Sequence, residues 1–525
     1  MCVWVRPFLV RECLQIKPEL DKIFVMLYHY KYSFFWDYLV QVTTLIERLP
    51  QAISAFQAYT YLKAQSAAQD LFLLESLSGP GHALRKAMLG VNPLLTLRVN
   101  GAQLSVSGHP VLCAHVLAVL HASPLLQDLC LLEIKDLFAV LRLLEQSFQL
   151  GDAGAFDFDY QFGFLGYFGY DAIQYIETIQ FKIAANEPVP DIMLCIYQSV
   201  LYVDLKTQAS YWISNQFVGV AEDGFKAVLL QAPILAEPDA LSLAVPVADQ
   251  VRDSVTEAAY VREVERALQH IALGDIYQIQ LGHTLTIDSS VDPFVVYQRM
   301  RKYNPSPYMY FVEMGDLRII GASPELCVNL RRDQVTIRPL AGTIRRGTSP
   351  ESERIQQETL RHDPKEQAEH IMLVDLARND VSRVCQVGTL AVTELMVIEA
   401  YSHVFHLVSN VVGQLRTGLD HYDVIAASFP AGTLTGAPKI RAMELIEEME
   451  TSRRGIYGGC LGFIDFRGHT EMAICIRTAV YQRGQYVIRA SAGIVVDSIA
   501  QQEWQETLAK LGSSYFAITN QELKS

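Results

Sequence analysis

The chain has 525 residues, of which 50% are hydrophobic and 19% charged, a balance typical of a folded globular protein with more than one core. Its formal net charge of −14 and pI near 5.4 argue against nucleic acid as a partner, because nucleic-acid binding needs a basic surface. An anionic substrate would therefore require a local arginine or metal ion that reverses the sign of the charge.

The N-terminal residues predict neither a membrane span nor an export signal. Residues 24–40 are apolar and aromatic, but they include a histidine, a lysine and an aspartate and are short for a bilayer. The nine cysteines are scattered and form no CxxC pair, as expected of a reduced, cytoplasmic protein. Residues 1–45 fit no later pattern, and we interpret them as an extension whose order the sequence does not define.

The patterns that follow predict an α+β protein in two parts. Residues 95–108 alternate like a hairpin around Asn100-Gly101, inside an N-terminal region of residues 46–231. Residues 232–250 are rich in alanine and proline and predict a linker. A larger domain, residues 251–520, begins with a helix that ends at Gly274 and then mixes strands with helices.

Two elements of the larger domain have distinctive patterns. Ile440, Met443 and Ile446 share one side of a predicted amphipathic helix, which the RRG of residues 453–455 is expected to end. Residues 471–481, EMAICIRTAVY, alternate like a single strand and place Arg477 among small residues. Such an arginine can hold a ligand carboxylate in a bidentate fork or pair with one of the chain's many acids.

Two pairs of glutamates have ExxE spacing on predicted helices. Glu366 with Glu369, and Glu503 with Glu506, each project from one helix face, where like charges repel. An arbitrary ExxE is usually a solvated helix face. The alternative is a magnesium site, because Mg²⁺ binds one or two carboxylates and completes its shell with water and ligand oxygens. Spacing alone leaves both interpretations open.

Glycine-rich segments are further candidates. Residues 429–438, FPAGTLTGAP, and 490–498, ASAGIVVDS, would let backbone N–H groups approach an anion, although most such turns bind nothing. Residues 458–462, GGCLG, match the nucleophile elbow of a glutaminase, with His469 nearby in sequence. The base of such a triad comes from a distant loop, so we interpret Cys460 as a buried structural cysteine.

Taken in order, the motifs of the second half resemble the chorismate-utilising enzymes, which include anthranilate, aminodeoxychorismate, isochorismate and salicylate synthases. The resemblance spans residues 274–507 and rests on GDIYQIQL, NPSPYMYF, GASPEL, RPLAGTIRRG, DPKEQAEHIMLVDLARNDVSRV, YSHVFHLVSNVVG, FPAGTLTGAPKIRAMELIEE, RRGIYGGCLGF, AICIRTA, AGIVVDS and EWQET. It implies a large antiparallel β-sandwich core flanked by helices, with a smaller N-terminal region packed on it.

The resemblance also implies roles for the candidate residues. The four glutamates match the family's Mg²⁺ ligands, two direct and two through water, and would hold the ring carboxylate of chorismate. Arg477, Tyr457 and the backbone near Gly493 match the grip on the enolpyruvyl carboxylate. The other matches to pocket and catalytic positions are Gln278, Glu325, Gly342, Thr343, His406, Thr433 and Ala492.

Two positions indicate which reaction the resemblance favours. Gln278 stands where water-using members carry a lysine base, so the nucleophile is expected to be ammonia. Ala341 stands where many aminodeoxychorismate synthases carry a lysine, which favours anthranilate synthase. Ammonia would attack C2 of the ring while Glu325 protonates the departing C4 hydroxyl, and His406 would assist the loss of pyruvate. Aminodeoxychorismate synthase and a catalytically silent homologue are the alternatives.

The N-terminal region resembles the tryptophan-binding part of anthranilate synthase large subunits, although FLLES at residues 72–76 is by itself only a strand end before a turn. The implied site for L-tryptophan, acting as a feedback inhibitor, consists of Glu75, Ser76, Lys86, Asn304, Pro307, Tyr308 and Met309. Because no glutaminase domain is recognised, ammonia is expected from a separate glutamine amidotransferase subunit, in a heterotetramer of two large and two small subunits.

Three residues depart from the family pattern: Ser382, Leu340 and Ser491. Ser491 replaces the first glycine of a GAG motif and is the only one of the three expected at the pocket. Its side chain is predicted to point away from the pocket if the backbone N–H groups there bind the carboxylate.

Overall fold

The computed structural model describes residues 39–65, 69–79, 81, 85–122, 137–151, 156, 158–184, 189–233, 248 and 250–523. The strands are β1 (Val40–Arg48), β2 (Phe72–Glu75), β3 (Lys86–Asn100), β4 (Gln103–Gly108), β5 (Phe148–Leu150), β6 (Gly163–Phe168), β7 (Ile192–Asp204), β8 (Ala209–Gln216), β9 (Gln250–Asp253), β10 (Gln278–Asp288), β11 (Tyr308–Met314), β12 (Leu317–Ser323), β13 (Leu326–Arg331), β14 (Gln334–Ile337), β15 (Leu340–Arg345), β16 (Ala391–Ala400), β17 (Val404–Gln414), β18 (Gly436–Ala437), β19 (Cys460–Asp465), β20 (His469–Ile474), β21 (Thr478–Gln482) and β22 (Gln485–Ile494).

The helices are α1 (Ala55–Ala64), α2 (Pro110–Ala122), α3 (Leu137–Gln146), α4 (Phe225–Leu229), α5 (Glu257–Leu273), α6 (Pro293–Tyr303), α7 (Pro350–His362), α8 (Pro364–Val384), α9 (His421–Ser428), α10 (Lys439–Met449) and α11 (Ala500–Thr519). None of them, within the described ranges, is long and apolar enough to span a bilayer.

The strands form one continuous sheet, antiparallel except for the β1–β5 pair, and its two halves, here called the two sheets, meet at the long pair β3–β7. From β3, one sheet continues through β2, β11, β12, β21 and β22 to β10 and β9. From β7, the other continues through β6, β19, β20, β13 and β14 to β17 and β16. The α+β fold with a large antiparallel core is therefore confirmed.

The hydrophobic core has layers that match this topology. Aromatic and aliphatic side chains of β2, β3, β11 and β12 meet those of β6 and β19 in one cluster between the sheets, with Phe72, Tyr167 and Phe463 among them. A second cluster packs α1, α6 and α11 on the outer face of one sheet, and a third packs α3, α8 and α9 on the other. Helices thus cover both outer faces, and the burial is mainly apolar area removed from water.

The N-terminal region contributes strands to both sheets. β2 lies between β3 and β11, and β6 lies between β7 and β19, so each joins strands that are distant in sequence. Of the expected extension, residues 40–45 belong to β1, which pairs with β8. Residues 1–38 and most of the predicted linker, 234–247 and 249, lie outside the described residues.

Local predictions had mixed outcomes. The hairpin at Asn100-Gly101 and the helix ended by Gly274, which has φ +81°, are confirmed. Helix α10 buries Met443 and Ile446, but Ile440 is 36% exposed. The prediction for its end is wrong: α10 stops at Met449, before residues 453–455.

The RRG segment has a different role from ending a helix. Arg454 turns back and donates to both carboxylate oxygens of Glu450, which Arg489 also pairs at 2.6 Å. A buried carboxylate is costly unless it is paired, and these two arginines supply the pairing.

Candidate active site

The ends of β10 and β22 form one wall of the candidate site. Gln278 and Gln280 are two residues apart on β10, so both project from the same face. Gln280 lies opposite Gly493, and a Cβ at Gly493 would come within 2.9 Å of Nε2 of both glutamines. Gln278 Nε2 donates to Glu369 Oε1 on α8 at 3.3 Å. The structure thus joins Gln278, Gly493 and Glu369.

Ala492, predicted at the same pocket, faces the other way. Its side chain is fully buried in the apolar cluster under β10 and β22, as the alternation of a strand requires. Its contribution to a site is limited to its backbone.

Glu325 lies between β12 and β13 and is buried. Thr433 Oγ1 donates to Glu325 Oε1 at 3.0 Å, which fixes the carboxyl group. Burial raises the pKa of Glu325 to about 8, against the weaker opposing effect of Thr433. At neutral pH the side chain is therefore a protonated carboxylic acid, the form a general acid needs.

His406 on β17 lies beside the bulge of β15 at Gly342. Its Nδ1 is 3.1 Å from the Gly342 carbonyl oxygen, which can only accept, so Nδ1 carries the proton. Thr343 Oγ1 lies 3.0 Å from the same nitrogen. Burial lowers the pKa of His406 to about 4. The ring is thus a neutral imidazole whose Nε2 lone pair can accept a proton.

Arg477 corrects the predicted single strand. β20 ends at Ile474 and β21 begins at Thr478, and Arg477 in the break has φ +51°. Its guanidinium donates weakly to the carbonyl oxygen of Lys510, at 3.5 Å, and has no carboxylate partner in the described part of the chain. Of the two interpretations of Arg477 from sequence, an arginine left for an anionic ligand fits this geometry.

Helices α8 and α11 bring the four glutamates toward one another. Glu366 Oε2 lies 3.1 Å from the position of a Cβ on Gly342, which has φ +70°. Burial raises the pKa of Glu366, Glu369 and Glu503, and the neighbouring carboxylate of Glu506 raises each one further. For Glu369 the result is a pKa of about 7. This mutual repulsion is what a cation would relieve.

The donor set fits Mg²⁺ in composition. No three His, Cys, Asp or Glu side chains converge as a ready metal site within the described ranges. That arrangement is compatible with Mg²⁺, which takes few protein ligands and fills its octahedron with water and ligand oxygens. Hard carboxylate oxygens on α8 and α11 supply the type of ligand it prefers.

Ser491 behaves differently from its prediction. Its hydroxyl does not point away: Oγ lies 2.7 Å from the Tyr457 hydroxyl and donates to Gln280 Oε1 at 3.0 Å. Lys510 Nζ donates to the Ser491 carbonyl oxygen at 2.9 Å and pairs with Glu506 at 2.6 Å.

Sequence reasoning missed Gln280 and Lys510. Lys510 lies one helical turn after Glu506, and that spacing could have drawn attention to it.

The residues predicted to bind tryptophan line a second cavity of about 30 Å³. Six of the seven lie in its wall: Glu75, Ser76, Lys86, Pro307, Tyr308 and Met309. The seventh, Asn304, is the C-cap of α6 and is not among the described lining residues. The volume holds about two water molecules.

The three charged residues of this cavity, Glu75, Lys86 and Glu471, are already paired. Lys86 contacts Asp159 at 2.8 Å and Glu471 at 3.1 Å, and Glu75 accepts from Tyr297 at 2.6 Å and Arg301 at 2.8 Å. A ligand would have to enlarge the cavity and exchange these partners.

Cys460 is confirmed as a buried cysteine. It is 0% exposed on β19, and burial raises the pKa of its thiol, the opposite of what an activated nucleophile requires.

Comparisons with known proteins identify the class of enzyme to which this fold belongs. The family described as chorismate binding enzyme matches residues 130–515. The 2-amino-4-deoxychorismate synthase of Streptomyces globisporus is 43% identical over 482 residues, covering 89% of this chain and 95% of that protein. Anthranilate synthase component 1 of Pseudomonas putida is 37% identical over 466 residues, covering 86% and 91%.

A solved structure agrees with the sequence matches. Anthranilate synthase component I from Streptococcus pneumoniae superposes with a TM-score of 0.67 at 31% identity, covering 82% of this chain and 92% of that one. The chain belongs to the chorismate-binding enzyme family, and the resemblance of its motifs to that family is confirmed.

Proposed function

We propose that the chain converts chorismate and ammonia to anthranilate and pyruvate, as an anthranilate synthase large subunit. The observation that carries the proposal is Glu325, a buried acid with a pKa of about 8, in a site whose matching position for a water-activating base is Gln278. A glutamine cannot remove a proton from water, whereas ammonia needs no such help to attack.

The residues divide the reaction between them. Arg477 binds the enolpyruvyl carboxylate, and Glu366, Glu369, Glu503 and Glu506 would hold Mg²⁺. When bound, that ion would neutralise the ring carboxylate. Ammonia attacks C2 as the ring double bonds shift and the C4–O bond breaks, and the Glu325 proton leaves with the hydroxyl as water.

The second step requires a base. His406 Nε2 takes the C2 proton while the bond between ring C3 and the ether oxygen breaks, the ring becomes aromatic, and the enolate released becomes pyruvate on protonation. The neutral tautomer of His406 supports this assignment.

A second candidate stops after the first step. The relative at 43% identity is named for 2-amino-4-deoxychorismate, the product of amination at C2 with loss of the C4 hydroxyl. The two candidates share every step through Glu325 and differ only in the elimination assigned to His406. Amination at C4, as in aminodeoxychorismate synthases of p-aminobenzoate formation, is disfavoured by Ala341.

The proposal also includes an inhibitor and a partner subunit. L-tryptophan would inhibit by binding the cavity of Ser76 and Lys86. A separate glutamine amidotransferase subunit would deliver ammonia, in a cytoplasmic assembly of two large and two small subunits. The component 1 naming of the relatives supports a partner.

The test uses the full chain with chorismate, Mg²⁺ and an ammonium salt at alkaline pH, followed by anthranilate fluorescence and by chromatography of chorismate and its products. Anthranilate formation that EDTA abolishes and tryptophan reduces supports the proposed reaction, metal and inhibitor. Chorismate loss with a non-fluorescent 2-amino product supports the second candidate. An unchanged chorismate concentration contradicts both.

A further inference from the structure

The wall of the carboxylate pocket contains two glutamines, Gln278 and Gln280, and the mechanism above assigns no step to Gln280. Gln280 is equally placed, because the missing Cβ of Gly493 leaves room for both amides side by side. The Gln280 backbone is held at both ends: its N–H donates to Thr435 O at 2.9 Å, and Arg454 donates to its carbonyl oxygen at 2.8 Å. This residue therefore presents its side chain from a fixed position.

A chain of hydrogen bonds sets the orientation of the Gln280 amide. Ser491 lies on β22 diagonally across from Gln280, within reach of a cross-strand contact. Ser491 Oγ donates its single proton to Gln280 Oε1, which can only accept. The Tyr457 hydroxyl, 2.7 Å from Ser491 Oγ, must then donate to it. With Oε1 fixed in this way, Gln280 Nε2 is the atom turned toward Gly493.

We propose that Gln280 is a substrate-contacting residue whose Nε2 donates to the enolpyruvyl carboxylate beside Arg477, with Ser491 and Tyr457 as positioning residues. The inference rests on the proposed function, from which it takes the carboxylate pocket. It reassigns one role: Tyr457 gives its proton to Ser491 and presents only lone pairs, so Gln280 replaces it as the neutral donor.

The local charges favour a donor at this point. Lys510 Nζ contacts the Ser491 carbonyl but is paired with Glu506, whereas Arg477 has no carboxylate partner among the described residues, so Arg477 is the cation left for an anion here. The opposite amide orientation would turn Oε1 toward that anion, which opposes binding, while Ser491 would accept from Nε2 and donate to the Tyr457 oxygen instead.

The experiment measures KM, kcat and equilibrium chorismate binding by calorimetry for the full chain with Mg²⁺ and ammonium. Because hydrogen bonds to charged groups are the strong ones, Gln280→Leu should raise KM and Kd for chorismate roughly tenfold to a hundredfold, with kcat changing much less. Gln280→Glu should weaken binding further, by placing two carboxylates together. Ser491→Ala should have a smaller effect, and adding it to Gln280→Leu should cost nothing more.

Gln198→Leu is the matched control. Gln198 is a buried glutamine on β7 that accepts from Asn92 and donates to Ala221 O, so its loss should lower the melting temperature without changing KM.

Gln280→Leu with chorismate affinity within twofold of the parent overturns the inference, and so does a Ser491→Ala effect that adds in full to it. Calorimetry separates this test from the proposed function: Gln280-dependent binding in a chain that aminates nothing would support the inference and contradict the reaction.

Discussion

The catalytic site and the second cavity differ in how their charged side chains are paired. In the catalytic site Arg477 has no carboxylate partner among the described residues. Burial raises the pKa of Glu366, Glu369 and Glu503, and the Glu506 carboxylate, which Lys510 pairs at 2.6 Å, raises each one further. In the second cavity Lys86 and Glu75 each have close partners of opposite charge or hydrogen-bond donors.

Unpaired charge in a partly buried site costs free energy in the absence of a ligand, and a ligand or metal that pairs it recovers that cost. Under the proposed function, a dianion and a cation would pair the charges of the first site. The second site must give up existing ion pairs before it can bind anything. A ligand there would therefore change the contacts of Asp159, Glu471 and Arg301, which is the requirement for a regulatory effect.

Removing the catalytic acid should have the largest effect. Glu325→Gln keeps the size and the contact with Thr433 but has no acidic proton, so we expect kcat to fall about 10²–10⁴-fold while chorismate still binds. Initial rates of chorismate consumption measure kcat, and calorimetry measures chorismate binding separately.

The role of Glu325 as an acid also predicts the direction in which kcat changes with pH. Because the pKa of Glu325 is raised to about 8, the acid is protonated below that pH and loses its proton above it. At a fixed concentration of free ammonia, kcat should therefore decrease as pH rises through 8, and Glu325→Gln should lack this decrease. A parent profile that stays level to pH 9.5 would contradict the assignment.

Much of this arrangement could be predicted, and the failures have physical causes. The helix carrying Glu366 and Glu369 was predictable because its apolar residues recur with helical spacing. The kink at Arg477 was not, because the alternation of small and large residues continues through it while one residue adopts φ +51°. The orientation of Ser491 depends on Gln280, 211 positions away, and no local pattern reports such a contact.

The strand pairs that join the N-terminal region to the rest of the chain could not be predicted either. β2 and β6 each pair with strands from the far half of the chain, so the N-terminal region could be recognised as a region but not as part of both sheets. Local periodicity predicts elements, whereas pairing between distant strands is decided by the packed core.

Removing His406, the proposed base of the second step, tests whether the product is anthranilate or the 2-amino intermediate. His406→Ala should leave chorismate consumption but lower anthranilate formation about 10²-fold, with a 2-amino intermediate accumulating, because the C2 proton has lost its acceptor. Thr343→Val should have a much weaker effect, since the Gly342 carbonyl still fixes the imidazole. Chromatography with mass detection gives both rates. Anthranilate released at the parental rate would remove His406 from the mechanism.

Arg477, whose guanidinium has no carboxylate partner among the described residues, should matter for binding more than for chemistry. Arg477→Lys loses the fork that holds a carboxylate, so KM for chorismate should rise roughly tenfold to a hundredfold. Arg299→Lys is the control: Arg299 also donates to backbone carbonyls, at the end of α11, and should affect the melting temperature only. Equal KM values for Arg477→Lys and the parent would mean that the carboxylate binds elsewhere.

The smallest expected effect comes from a substitution in the second cavity. Ser76→Leu places a side chain in a cavity of about 30 Å³, so tryptophan inhibition should weaken by about tenfold or more because indole and leucine compete for the same space. Initial rates against tryptophan concentration, with calorimetric binding, measure this. Ser105→Leu, on the exposed face of β4, is the control for adding a leucine.

If Ser76→Leu remains as sensitive as the parent, tryptophan does not use this cavity. The paired Lys86 and Glu75 would then be structural ion pairs of the β2–β3 region. A loss of sensitivity together with altered pairing of Lys86 would instead establish that the ion pairs of the second cavity are the contacts that inhibitor binding exchanges. The second cavity would then be a regulatory site that binds its ligand only when its own salt bridges break, and that binding would control the catalytic site.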